Sequence, residues 1–363
     1  MAEYYQIAFF PYFTISRFDH DRFIIYPLSD LDSVITDPKV KKAVKIRLSL
    51  NIDHRQENLN TISLLHRKNN DFSPFSEEET EIIQEIKYLI FFCSLKTNNM
   101  PEKGRQYFSW VTADNFEVTY QNFQIDDNNH IGLSYGAIHS IKSIDEIKDV
   151  RIQKPIYVNK PLAFGYDEVL LANLLALKTS NHYLFNRVIT SIQQLYDSYK
   201  NSHDVSWASR MLLLMVAFEI LFEMDASGQR KQLKDKFKTF LSNRYETNNS
   251  DPIVKYQSPR WANSPAEGEN EPIRVHYAEK FYLLRNDIIH GNQPATSEYM
   301  YEHQRIYDIG VMFLILAIER IINDSDKQET YCDDIIWDNS DRRFFWKDGS
   351  LYKTISEIID SNQ

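Results

Sequence analysis

The stretch that decides the fold is Tyr277–Asn292, which reads YAEKFYLLRNDIIHGN. On a helix at about 100° per residue, its large apolar side chains fall into one narrow stripe of the kind that enters a core. The members of this stripe are Tyr277, Phe281, Leu284 and Ile288. Gly291 is placed to end the helix as its C′ residue, and Pro294 prevents any continuation. The pattern therefore predicts a core helix of a bundle, with His290 in its last turn.

A second face of the same helix carries polar side chains. Arg285, Asn286 and His290 lie outside the apolar stripe, and Asn286 and His290 are one turn apart. The positions between them on this arc are mostly apolar, namely Ala278, Tyr282 and Ile289. A helix with two apolar faces suggests a bundle on one side and a partner on the other. An arginine, an amide and a titratable imidazole on one face are the side chains that a phosphodiester site needs.

The pattern R-N-x-x-x-H at the end of a helix, followed by glycine, resembles the motif of the HEPN superfamily. The run FYLLRNDIIHG is most similar to the Apea-like HEPN proteins, and the resemblance covers about Asp167–Asn323. It implies a helical bundle that acts as a metal-independent ribonuclease in a homodimer, without a cofactor. It also implies that Arg285, Asn286 and His290 are catalytic, that Asp287 has a supporting role, and that the protein takes part in antiviral defence.

The C-terminal half has the helical periodicity that a bundle requires. Residues 167–200 repeat apolar side chains over a length that suits one long helix or two. The next segment, Trp207–Met224, is apolar on all sides, which predicts a buried central helix with Ser206 as its N-cap. Its single charge, Glu219, has to be paired or protonated, because burying a bare carboxylate is costly. The resemblance implies a glutamate on this helix, so Glu219 either pairs with a basic residue of the bundle or orders the active-site arginine.

A basic amphipathic helix is predicted for Arg230–Arg244. Its apolar stripe contains Leu233, Phe237 and Leu241, and its outward lysines include Lys231, Lys234 and Lys238. These lysines form either a surface that contacts RNA phosphates or an ordinary solvated face. A polar loop over residues 246–272 and a further helix within Ser297–Asn323 complete the predicted domain of residues 161–323.

The sequence predicts a separate, β-rich domain over residues 1–160 and a C-terminal extension over residues 324–363. Short β-branched and aromatic runs at Tyr4–Phe13, Phe23–Tyr26 and Lys45–Ile52 are typical of strands. Ser76 and Glu79 form a capping box, which predicts a helix over Glu77–Leu95. We expect this domain to act as a sensor or recruitment module. The fold class predicted for the whole chain is α+β, a β-rich domain followed by a HEPN-like helical bundle.

Composition limits the partners and the compartment. A net charge of −10 argues against a uniformly basic nucleic-acid coat, so any RNA contact has to be a local patch. Cys93 and Cys332 have neither metal-ligand spacing nor a disulfide framework, which favours a reducing cytoplasm and no metal site. The N-terminal sequence lacks the regions of a signal peptide, and the longest apolar runs are too short to span a bilayer. We expect a soluble cytoplasmic protein that does not enter the membrane.

The expected activity is an endoribonuclease that gives 2′,3′-cyclic phosphate and 5′-OH ends. His290 can serve as base or acid, Arg285 can pair with phosphate oxygens, and Asn286 can orient either group. One motif supplies one histidine, whereas concerted acid–base chemistry needs two, so a homodimer with a composite cleft is expected. RNA is the expected partner, with an antitoxin or a phage-derived activator as further candidates. The alternatives are a non-catalytic HEPN module that binds nucleotide or protein, and a DNA or protein target.

Overall fold

The chain forms two compact units, which we describe from a computed structural model. The first unit contains Met1–Asn98, Trp110–Asp167 and Lys200–His203, and the second contains Asn99–Ser109, Glu168–Tyr199 and Asp204–Gln363. The structure describes residues 4–49, 51–52, 58, 62–99, 112–124, 130–135, 138–143, 150–151, 162–163, 165–200, 205–241, 272–292, 294, 299–301, 304–323, 335–338 and 343–346. The predicted loop of residues 246–272 lies outside this set except for Pro272.

In its described residues, the first unit combines short strands with three α-helices and two 3-10 helices, Leu28–Asp30 and Ala113–Phe116. In chain order its elements are β1 (Tyr4–Phe10), β2 (Phe13–Thr14), β3 (Phe18–His20), β4 (Phe23–Pro27), α1 (Leu31–Val34), α2 (Pro38–Ser49), β5 (Asn51–Ile52), β6 (Ser63–Arg67), α3 (Glu77–Asn99), β7 (Thr119–Gln124), β8 (His130–Tyr135), β9 (Ile138–Ser143), β10 (Val150–Arg151) and β11 (Leu162–Ala163). Five strands form an antiparallel sheet in the order β3-β4-β6-β1-β7.

Both faces of this sheet are covered, which explains why β4 and β6 are buried almost throughout. On one face, Ile7 and Phe9 of β1 share a core with Val44 and Leu48 of α2. On the other, a cluster of aromatic rings joins β1 to α3, through Phe10, Phe13, Phe116 and Phe91. The mixed α+β class is therefore confirmed.

The predicted strand Lys45–Ile52 is wrong over most of its length, because Lys45–Ser49 are the last residues of α2. The alternation of Ile46, Leu48 and Leu50 imitates a strand, but Val40, Val44 and Leu48 recur every four residues and are buried together. The helical period prevails since it places these side chains against the sheet. Among the residues described in this stretch, those that form a strand are Asn51 and Ile52 of β5.

The start of α3 is fixed by a buried ion pair. The capping box is confirmed, because Glu79 N donates to Ser76 Oγ at 3.2 Å and Ser76 N donates to Glu79 Oε2 at 2.9 Å. Arg67 donates two hydrogen bonds to the same carboxylate, from its Nε to Glu79 Oε1 at 2.6 Å and from its Nη2 to Glu79 Oε2 at 2.7 Å. These bonds, led by the Arg67 side chain, lower the pKa of Glu79 to about 2 although burial opposes the shift.

The second unit is mainly helical. Its elements are α4 (Glu168–Ser180), α5 (His182–Ser198), α6 (Trp207–Phe222), α7 (Gln229–Thr239), α8 (Ile273–Ile289), β12 (Met300–Tyr301), β13 (Gln304–Arg305), α9 (Ile306–Asn323), β14 (Ile335–Asp338) and β15 (Arg343–Trp346). The stretch of residues 167–200 forms two helices, since Asn181 caps α5 by accepting a hydrogen bond from Leu184 N at 3.0 Å. Strands β12 and β13 pair antiparallel, as do β14 and β15.

Helix α6 lies at the centre of this unit and contacts α5, α8 and α9. Ser206 is its N-cap as predicted, accepting a hydrogen bond from Ser209 N at 3.1 Å. Gly310 lets α9 approach α6 and α8 closely, because a Cβ there would lie 2.7 Å from both Leu214 Cδ2 and the Tyr277 hydroxyl. Among the described residues, no helix is both long and apolar enough to cross a bilayer.

Candidate functional site

Helix α8 is anchored through the predicted apolar stripe. Tyr277, Phe281 and Leu284 are fully buried, and Ile288 is partly buried. The Tyr277 hydroxyl donates to the carbonyl oxygen of Ile306 at 2.8 Å, which ties α8 to the first residue of α9. These contacts fix the rotation of α8 about its axis, and with it the direction in which its polar face points.

The C-terminus of α8 is a Schellman motif. Gly291 has φ +78°, which glycine adopts at little cost. Gly291 N donates to Ile288 O at 3.1 Å, and Asn292 N donates to Asp287 O at 2.9 Å. The chain therefore leaves the helix directly after His290, whose side chain is exposed.

Asp287 is buried at this helix end and accepts a hydrogen bond from Asn292 Nδ2 at 2.9 Å. The pairing joins a residue of the last turn to the residue that follows Gly291. This hydrogen bond helps to fix the backbone around His290, and the Asp287 side chain is buried.

Arg285 is held by two neighbours. Its Nη2 donates to Glu219 Oε1 of α6 at 3.1 Å, and its Nη1 donates to Asn286 Oδ1 at 3.1 Å. Its guanidinium carbon also lies 5.8 Å from the centre of the Tyr282 ring. Both side chains of the Arg285–Glu219 pair are less than one-fifth exposed. The basic residue that Glu219 pairs with is therefore Arg285, the arginine of the motif.

Burial acts on Glu219 more strongly than its partner does. Removal from water raises the pKa of this carboxyl group, and the charge and hydrogen bond of Arg285 only partly offset that effect. The pair is thus better suited to orienting Arg285 than to stabilising the bundle.

The structure brings Arg285, Asn286 and Glu219 into direct contact, whereas His290 stands one turn beyond Asn286. Its backbone N donates to Asn286 O at 3.0 Å. The imidazole makes no hydrogen bond to any residue in the described part of the chain. Ile289 beside it is 49% exposed, which leaves an apolar side chain next to the polar residues.

The three predicted RNA-contacting lysines of α7 have different surroundings. Lys231 and Lys238 are exposed, but Lys234 Nζ lies 3.1 Å from Glu279 Oε2 of α8 and is largely covered. Arg230 pairs with the same glutamate. Burial alone would raise the pKa of Glu279, but Lys234 and Arg230 reverse the effect and hold it below its usual value. Lys234 thus joins α7 to α8, and only Lys231 and Lys238 face solvent.

A second polar cluster at this end of α6 has no signal in the sequence. Glu223 follows the last turn of α6 and accepts hydrogen bonds from the Tyr183 hydroxyl and from Arg187, both on α5. These bonds, with the Tyr183 hydrogen bond first, keep the pKa of Glu223 below its usual value. Tyr183 and Arg187 have the i, i+4 spacing that places them on one helix face, but nothing in the sequence connects that face to Glu223.

Within the described residues, no three His, Cys, Asp or Glu side chains are grouped so that they could hold a metal ion. No protein-family model matches the chain, and neither a curated protein nor a solved structure is significantly similar to it.

Proposed function

We propose that the chain is a metal-independent endoribonuclease of the HEPN type, with its active site at the C-terminal end of α8. The observation that carries the proposal is the arrangement of Arg285, held by Glu219 and Asn286 one turn before an exposed His290. A guanidinium that is already ordered loses little conformational freedom when it binds a phosphate. The resemblance of R-N-x-x-x-H to the HEPN motif supports the same assignment.

The chemistry needs a base, an acid and charge stabilisation at phosphorus. An imidazole takes the proton of the ribose 2′-OH, and the 2′-oxygen attacks the phosphorus atom. The bond from phosphorus to the 5′-oxygen breaks, and a second imidazole donates a proton to that oxygen. Arg285 neutralises the negative charge that builds on the phosphate oxygens. The products are a 2′,3′-cyclic phosphate and a 5′-OH end.

A homodimer would supply the second imidazole. Ile289 is exposed between the polar residues of α8, and Tyr282 is partly exposed on the same arc. A two-fold axis through this face would bury both apolar side chains and bring two copies of the motif together. The proposal therefore includes a composite site with one His290 from each subunit.

The proposed cellular role follows from the resemblance to Apea-like HEPN proteins. In this role the protein is a cytoplasmic toxin or antiviral effector, and an antitoxin or phage-derived activator controls its activity. The first unit would then act as the sensor or recruitment module. The oriented Arg285 guanidinium also suits a second candidate, a non-catalytic HEPN module that binds nucleotide or protein, because such a group can bind a phosphate without cleaving it.

The test is a cleavage assay on mixed RNA in EDTA with the wild type, Arg285→Ala and His290→Ala. Both variants should abolish cleavage while circular dichroism stays unchanged, and the wild-type products should carry cyclic phosphate ends. Arg17→Ala is a matched control, because Arg17 is an exposed arginine of the first unit whose nearest ion-pair partner, Asp19, is 4.0 Å away. Cleavage that persists in His290→Ala would refute the assignment. A folded wild type that binds RNA without cutting it would favour the binding module.

A further inference from the structure

The C-terminal end of α6 carries two glutamates, one in the helix and one directly after it, and each binds an arginine from a different helix. Glu219 binds Arg285 of α8, and Glu223, four residues further on, binds Arg187 of α5. Met224, the residue after Glu223, donates its backbone N–H to Glu219 O at 3.0 Å, so the two glutamates lie at the same end of α6. Arg187 therefore lies beside the proposed active site, although it is 98 residues from Arg285 in the sequence (285 − 187).

Tyr183 forms a fixed and accessible ring at this position. Its hydroxyl donates to Glu223, while the residue as a whole is 69% exposed, more than any other large aromatic residue in the described part of the chain. One end of the ring is thus held in place and its surface is open to solvent. An anchored, exposed tyrosine is the kind of platform on which nucleic-acid bases stack.

Glu223 adopts a backbone conformation that glutamate normally avoids. It has φ 50° and ψ 51°, the left-handed region, at the C′ position of α6. Met224 N donates to Glu219 O at 3.0 Å and Glu223 N to Ile220 O at 3.3 Å, the same pattern that Gly291 completes on α8. Glycine would fit this position without strain. The glutamate side chain orders Tyr183 and Arg187, which glycine could not do, so the strained position points to a function.

We propose that Tyr183, Arg187 and Glu223 form a subsite for the nucleotide next to the scissile phosphate of a single-stranded RNA. Tyr183 stacks on the base, Arg187 contacts a flanking phosphate, and Glu223 holds both side chains in position. A carboxylate engages only part of the five-donor guanidinium, so Arg187 retains donors for a phosphate. The subsite rests on the proposed ribonuclease function and specifies its substrate as single-stranded, since a paired base cannot reach the ring.

The test is the affinity for a fluorescein-labelled, fully 2′-O-methylated oligoribonucleotide, measured by fluorescence anisotropy so that cleavage does not interfere. Tyr183→Ala should weaken binding by about 5- to 100-fold, the range that loss of one base–aromatic stack gives. Tyr183→Phe should retain most of the affinity because the ring is kept. Arg187→Ala should weaken binding and reduce the slope of log K against log salt by about 0.7, as expected for one phosphate contact on a single strand.

Trp207→Ala is the matched control. Trp207 is also an exposed aromatic residue, but it begins α6, 16 residues before Glu223, so it lies about 24 Å away along the helix. Its replacement should leave binding unchanged. The subsite is refuted if Tyr183→Ala and Arg187→Ala bind as tightly as the wild type, or if the wild type does not bind the oligonucleotide.

The two proposals fail in distinguishable ways. Tyr183-dependent binding by a protein that cleaves no RNA would retain Tyr183 as a binding site for single-stranded RNA and reject the ribonuclease. Cleavage that needs His290 but is the same in Tyr183→Ala, with equal binding, would retain the ribonuclease and reject the subsite.

Discussion

Replacing Glu219 with glutamine should separate its proposed role in positioning Arg285 from any role in stability. At an effective dielectric constant of about 20, opposite charges about 4 Å apart attract by about 4 kcal/mol. Burial nevertheless leaves the pKa of Glu219 above its usual value, so desolvation outweighs the attraction of Arg285. Glutamine can still accept the hydrogen bond from Arg285 Nη2 without carrying a charge. We therefore expect Glu219→Gln to change the free energy of unfolding by less than about 1 kcal/mol, in favour of the variant.

The sign of this change depends on pH. A carboxyl group with a raised folded pKa binds its proton more tightly in the folded state than in the unfolded state. The wild type is therefore relatively most stable below the unfolded pKa and loses that advantage as the pH rises through the folded pKa. The variant should match the wild type in acid and be equal or slightly more stable at neutral pH.

The effect on cleavage should be larger than the effect on stability. A hydrogen bond to a charged acceptor is about twice as strong as one to a neutral acceptor. Glu219→Gln should therefore weaken the hydrogen bond that positions Arg285 by about 1 kcal/mol. This corresponds to roughly a fivefold fall in kcat/KM. Calorimetry and cleavage kinetics measure the two quantities on the same preparations.

A double-mutant cycle tests whether Glu219 acts through its arginine. In an Arg285→Lys background, which retains residual activity if the charge alone suffices, Glu219→Gln should lower kcat/KM by less than in the wild type. A loss of more than about 2 kcal/mol of stability in Glu219→Gln, with unchanged cleavage by the folded protein, would refute the positioning role of Glu219.

Three further predictions concern stability. The pKa of Glu79 is about 2, so its contribution to the free energy of unfolding is complete above the unfolded value of 4.5 and is lost as the pH falls towards 2. Glu79→Gln should therefore cost about 1–3 kcal/mol at pH 7 and progressively less in acid. Thermal melts measure this loss, with Glu78→Gln, at an exposed glutamate, as the control. Burial raises the pKa of Asp308 to about 6, although Arg305 and Arg210 oppose this shift. Asp308→Asn should therefore raise Tm at pH 7.5, which corresponds to a gain of about 1–2 kcal/mol in the free energy of unfolding, and should have little effect near pH 4. Equal shifts of Tm at both pH values would contradict this prediction. Glu223→Gly and Glu223→Ala lose the same side-chain contacts. Calorimetry should nevertheless find the glycine variant more stable by about 1 kcal/mol, because alanine is strained in the left-handed backbone conformation of this position. Equal stability of the two variants would mean that the backbone is unstrained.

The ends of α6 and α8 illustrate what could be predicted from the sequence. Both helices end in the same backbone pattern, with a left-handed residue at C′. On α8 that residue is Gly291, so the end was predictable, and the structure ends the helix at Ile289. On α6 it is Glu223, which carries no turn signal, and the predicted helix extends to Met224 instead of Phe222. A terminus held by tertiary contacts cannot be recognised from local preference.

The first unit was harder to predict because its sheet depends on distant partners. Strand β6 lies between β1 and β4, so its burial depends on residues about 40–60 positions away in the sequence. Within α2, Arg47 is fully buried, and its Nη2 donates to Gln121 Oε1 of β7 at 2.6 Å. A sequence that reads KIRLSLNI cannot show that its arginine will be inside. The alternation therefore suggested a strand where long-range packing selects a helix.

The candidate site shows the same division between local and distant information. Arg285, Asn286 and His290 share one helix, so their spacing alone places them on one face. Glu219 was recognisable as the one charge in an apolar helix. Tyr183, by contrast, meets Glu223 only because α5 and α6 pack together.

The arrangement of charges has a consequence for how the site would recognise RNA. Arg285 with Glu219, and Arg187 with Glu223, form two ion pairs whose formal charges sum to zero. The chain as a whole carries a net charge of −10. Electrostatic repulsion from the chain as a whole therefore opposes RNA binding, so affinity at the proposed site has to come from the oriented guanidinium donors and from stacking on Tyr183. A site of this kind engages few phosphates, so its affinity should depend on salt much less than that of a basic RNA-binding surface.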